Sequence, residues 1–154
     1  MPSLADIVAA EAALVSGFVR LLEEEQALLK HGDAEALPDV VERKTAKARE
    51  LAAASGERNR LLNASGLAAD RAGIEGWLTR HPDDAAVRKE WEHLQSLAAE
   101  ARELNRVNGE LIQLRLQNNA QSLEVLLAAA NRQDLYGADG QAAQATTRRI
   151  IDSA

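Results

Sequence analysis

Apolar residues recur at every seventh position along the N-terminal stretch, as Ile7, Leu14, Leu21 and Leu28, with Val8, Val15, Leu22 and Leu29 beside them. Leu4 and Phe18 widen this stripe into a continuous apolar face. A face of that length has to be buried against other secondary structure. Composition favours helices: hydrophobic residues reach 46% while aromatics are only 3%, so the apolar content is mostly Ala and Leu, both strong helix formers. The expected fold is all-α, an antiparallel bundle of three long helices, a coiled-coil-like hairpin plus a very long C-terminal helix, with a short connecting helix and a mobile C-terminal tail. At 154 residues it is expected to form a single helical domain over 1–136, followed by a flexible segment, 137–154.

Local signals set the expected boundaries. Ser3 can cap the first helix with Asp6 three residues on, and Gly32, between His31 and Asp33, can close it in the left-handed conformation. Asp33 can then cap a second helix, running from about Asp33 or Asp39 to Ala64, with Leu37, Val40, Val41, Leu51, Leu61 and Leu62 on its apolar face. Gly56, after the small residues Ala52–Ser55, is expected to let another helix approach closely, and Glu23, Glu24 and Glu25 read as a solvated face. Asp70 to Arg80 reads as a short connector ending at His81-Pro82, with Trp77 and Trp91 packed on each other or on the bundle end. Asp83 is expected to cap a last helix reaching about Leu135, whose stripe turns amide-rich near Asn118-Asn119. Tyr136-Gly137-Ala138-Asp139-Gly140 is a turn-rich break before the tail.

Composition and spacing weigh against several function classes. A net charge of −6 disfavours nucleic acid and anionic membrane surfaces as partners. The absence of cysteine removes disulfides, thiolate metal sites and thiol nucleophiles, and suits a reducing cytoplasm. The N-terminus lacks the pattern of a secretory signal, and no apolar run is long enough to span a membrane. His31, His81 and His93 are dispersed, and no carboxylate is bracketed by residues that would desolvate it. There is also no phosphate loop or nucleophile elbow, so neither a catalytic residue, a metal site nor a cofactor is expected.

Two stretches of the last third are specific. Asn105-Arg106-Val107-Asn108-Gly109-Glu110-Leu111-Ile112 and Tyr136-Gly137-Ala138-Asp139-Gly140, with Asn118-Asn119 and Leu123-Glu124-Val125-Leu126 between them, resemble the FlgN family of flagellar type III export chaperones. The amphipathic hairpin and Lys44 extend the resemblance over most of the chain. It implies a cytoplasmic, non-enzymatic helical protein that binds the C-terminal helical regions of hook–filament junction proteins, prevents their premature assembly and delivers them to the export apparatus. It also implies that Tyr136 takes part in docking on the export gate protein; the alternative is a ring that packs over the helix end.

The residues themselves offer a client surface. Apolar periodicity outlasts the two shorter helices at Leu123, Leu126 and Leu127, which together with Ile150 and Ile151 of the tail could hold a partner helix; the alternative is that these leucines are bundle core. Asn108 and Gly109 read as structural, Gly109 allowing close approach and Asn108 making an interhelical hydrogen bond. The competing class is a coiled-coil scaffold whose surplus apolar face is buried by a second copy of itself.

Overall fold

The computed structural model describes residues 1–134. Among these residues there are four helices and no strand: α1 (Leu4–His31), α2 (Leu37–Ala64), α3 (Arg71–Arg80) and α4 (Ala85–Asp134). The chain divides into two compact units, Met1–Leu111 and a second that begins at Ile112, within α4. The Tyr136, Ile150 and Ile151 expectations, and the tail 137–154, lie outside the described residues.

In the first unit the caps form where local chemistry dictates. Ser3 Oγ accepts from Asp6 N–H at 3.2 Å, while the Asp6 carboxylate accepts from Ser3 N–H at 3.0 Å, a complete capping box. Gly32 closes α1 at φ 76°, and its N–H donates to the Leu28 carbonyl. Asp33 does not cap α2. Residues 34–36 instead form a turn, Ala36 occupies the cap position without a side-chain hydrogen bond, and α2 begins at Leu37 with Pro38 in its first turn, where no donor is missed. Asp70 caps α3 by accepting from Gly73 N–H. The cap of α4 is Asp84 and not Asp83: its Oδ1 accepts from Val87 N–H at 3.2 Å while its Oδ2 accepts from the Trp77 indole at 3.1 Å.

The pairing of Glu24 with Arg43 and of Glu11 with Arg58 shows α1 and α2 to be antiparallel. α3 turns the chain, and α4 then runs in the same direction as α1, since Glu11 shares a cavity with Trp91 and Leu94 whereas Glu25 meets Asn108 further along both helices. The core between them is built from Leu4, Val8, Val15 and Val19 of α1, Leu62 of α2, Ile74 of α3, and Val87 and Leu94 of α4. Every helix thus contributes to one apolar cluster, which is why the short α3 holds its place.

Trp77 and Trp91 both pack against the apolar cluster, the second of the two placements expected of them, whereas the expectations for Gly56 and Gly109 and for Glu25 are corrected. Trp77 stacks on His81, with centroids 4.1 Å apart, and Trp91 lies beneath the Arg58 guanidinium, 5.5 Å from its ring centroid. Each indole thus has its own polar neighbour. Neither Gly56 nor Gly109 is a point of close approach, because a Cβ at either would meet nothing within 4 Å. Glu25 is buried instead of solvated.

Candidate functional site

Apolar side chains that remain in water are concentrated in the second unit. Of eight exposed large hydrophobic residues among the described ones, six lie between Ile112 and Leu126: Ile112, Leu114, Leu116, Leu123, Val125 and Leu126, at 41% to 69% exposure. Scattered apolar residues on a surface are ordinary, whereas these six fall within one 15-residue stretch of α4. Within it the positions 112, 116, 119, 123, 126 and 130 follow the alternating four-and-three spacing of a coiled-coil seam, occupied by Ile, Leu, Asn, Leu, Leu and Ala. Leu123 and Leu126 therefore sit on one exposed line, and Leu127 is half-buried. Asn119 interrupts the seam with an amide, a device that favours one register over its neighbours.

The first unit by itself is held by two buried polar layers. In one, Glu11 accepts two hydrogen bonds from Arg58 Nη1, at 2.7 and 2.8 Å, and one from Ser55 Oγ at 2.7 Å. In the other, Glu25 accepts from Lys44 Nζ at 3.0 and 3.1 Å and from Asn108 Nδ2 at 2.9 Å. Asn108 also donates to the Leu22 carbonyl at 2.9 Å, the interhelical bond expected of it. Glu11, Glu25 and Asn108 are all buried, so both carboxylates survive away from water only because cations and donors surround them.

Sequence reasoning assigned all three Glu residues at 23–25 to solvent and passed over Glu11. A signal was present: Leu4, Glu11, Phe18 and Glu25 are spaced by seven, as are Lys44, Leu51 and Arg58, and as are Leu94, Ala101 and Asn108. The polar residues occupy core positions of the same repeat that the leucines occupy, two heptads apart on both α1 and α2. The layers therefore read as register devices that hold the hairpin and align α4 with it. No group of three or more His, Cys, Asp or Glu among the described residues could hold a metal ion. No helix of the described residues is long and apolar enough to cross a membrane.

The FlgN family model, described as FlgN protein, matches residues 1–144. The chain belongs to the FlgN family. No curated protein and no solved structure matched the chain. FlgN membership makes this a flagellar export chaperone, of a family that is not enzymatic. The FlgN match extends across both units, so the buried layers and the exposed seam belong to one family sequence.

Proposed function

We propose that the chain is a cytoplasmic chaperone that holds the helical C-terminal regions of hook–filament junction proteins and hands them to the export gate. The observation that carries this reading is the exposed apolar run between Ile112 and Leu126 in a chain of the FlgN family. A junction subunit awaiting export has apolar helix faces that pack only after assembly, and a second amphipathic helix laid along them keeps them from each other. Leu123, Leu126 and Leu127 are the core of this client surface, Ile150 and Ile151 extend it, and Tyr136 contacts the gate protein. Catalysis, a metal and a cofactor have no part in holding and release.

Calorimetry with the C-terminal regions of hook–filament junction proteins tests the proposal. A 1:1 complex is expected, and the paired substitution Leu126→Ala and Leu127→Ala should weaken it by at least about 30-fold, the equivalent of about 2 kcal/mol of lost apolar burial. Unchanged affinity in a variant of unchanged helicity would remove these leucines from the site. The second reading, a self-associating scaffold, is favoured by the same exposed seam and separated by mass in solution. A tight dimer without client would support the scaffold, and a monomer at micromolar concentration would leave the seam for a different protein.

A further inference from the structure

We infer that the first unit carries a second docking site, a groove built to receive an acidic amphipathic helix from a partner protein. The groove encloses about 470 Å³ between α2 and α4, floored by Glu11 and Val15 of α1. Its walls are successive turns of helix: Leu51, Ser55 and Arg58 on one side, and Trp91, Leu94, Ala98 and Arg102 on the other. These positions step by three and four residues, so each wall is a ridge, and from Trp91 to Arg102 the groove follows about 16 Å of α4 at 1.5 Å per residue. A trough of that length between two helix ridges has the shape that a further helix fills.

Charge selects the kind of helix. The chain as a whole carries −6, yet the lining of this groove holds three arginines against the single carboxylate of Glu11. Glu11 is already occupied by Arg58 and Ser55. Arg102 has no carboxylate partner among the described residues, and Arg71 is joined only to the exposed Glu75 at 3.3 Å. The buried Nε of Arg58 makes no hydrogen bond either, although its guanidinium lies over Trp91. A partner helix that lays an apolar stripe on Leu51, Leu94 and Ala98 brings the residues flanking that stripe beside Arg71 and Arg102, where Asp or Glu would be paired and Lys or Arg repelled. Two accessible guanidiniums beside apolar wall residues fit this occupant better than a phosphate backbone, which needs a longer cationic track. The site uses none of the residues of the Ile112–Leu126 seam and does not depend on what that seam binds.

The test uses the full chain and a designed, end-blocked peptide of about 18 residues, long enough to present three turns of helix. It carries Leu at three-and-four spacing flanked by Glu, and its control has Gln for every Glu. Binding is followed by nitrogen-15 NMR, where the indole N–H signals of Trp91 and Trp77 are separate reporters. The Glu peptide should move the Trp91 signal and leave Trp77 in place, and its Kd should rise about tenfold, about 1.4 kcal/mol, both with the Gln control and with Arg102→Gln. Ala98→Trp, which fills the groove, should abolish the response in a chain whose other signals are unchanged. Equal affinity for the two peptides, indifference to Arg102→Gln, or shifts confined to residues 112–131 would each overturn the assignment. So would Trp91 broadening with protein concentration alone and sharpening in Arg102→Gln, which would give the groove to a second copy of the chain.

Discussion

Asn108 of α4 donates its side-chain N–H to the carboxylate of Glu25 on α1, at 2.9 Å, across 83 residues of sequence and out of reach of water. The bond ties the third long helix to a carboxylate that Lys44 already neutralises from the second, so a single buried layer sets the register of all three. Asn108 Oδ1 is left without a partner, which marks the layer as a device for alignment more than for maximum stability.

Replacing Asn108 with aspartate should turn this donor into a second anion facing Glu25. At pH 7 the variant is expected to lose about 3 kcal/mol, the cost of an unpaired buried charge. A neighbouring anion raises the folded-state pKa of the introduced carboxyl above its unfolded value, so the deficit should shrink as pH falls and the proton is taken up. Urea midpoints of both proteins at pH 7 and at about pH 4.5, the carboxylate range, will show this. An equal deficit at the two values would contradict it.

The Glu11–Arg58 layer should respond to truncation according to which charge is stranded. Arg58→Ala leaves Glu11 buried with only Ser55 as a donor and is expected to cost about 3–5 kcal/mol, whereas removing both charges together, Glu11→Gln with Arg58→Met, should cost clearly less than the single change. Arg106 is the contrast: it bonds Glu103 and Glu110 at 2.6 Å on an open face, where water screens the pairs, and Arg106→Ala should leave the midpoint unchanged.

At the start of α1 the Ser3 side-chain and backbone hydrogen bonds hold the Asp6 carboxyl below its ordinary value of 3.8. A depressed carboxylate pKa contributes stability above the unfolded value and loses it as pH falls through the folded one. The melting temperature of Ser3→Ala should therefore lie below the parent at neutral pH, and the gap should narrow below about pH 4. A gap that widens on acidification would exclude this linkage.

Three helical glycines separate by surroundings. Gly56→Ala and Gly109→Ala meet open space and should each stabilise the protein by about 0.5–1 kcal/mol through helix propensity. Gly73→Ala cannot be accommodated, because its Cβ would fall on the Ala68 carbonyl, and it should be strongly destabilising. Thermal melts of the three variants provide the check. If Gly109→Ala is more stable yet impaired in client binding, the space beside Gly109 serves a partner.

What the sequence made legible was local. The Ser3–Asp6 box and the Gly32 stop each depend on residues within a turn of one another, and both were found in place. The α2 start was misplaced because Asp33 resembles a cap, whereas the turn at 34–36 decides where the helix begins. Glu11 and Glu25 were missed because burial of a carboxylate is set by partners 19 to 83 residues away, and a run of three glutamates looks solvated until its seven-residue spacing is compared with that of the leucines. Asn108 was caught because an amide inside an apolar stripe needs a partner wherever the stripe is covered. The exposure of Leu123 and Leu126 could be asked about but not answered from periodicity, since buried and bare seams have the same spacing.

The turn at Gly32 also orders events in time. It lets α1 and α2 meet after the synthesis of little more than a hairpin, with Glu11, Ser55 and Arg58 already present, whereas Asn108 must wait for α4. Loop closure favours the nearer contacts, so the hairpin is the part that can fold while the ribosome is still making the remainder, and α4 docks onto a template already formed. Until it does, Glu25 has Lys44 alone for company.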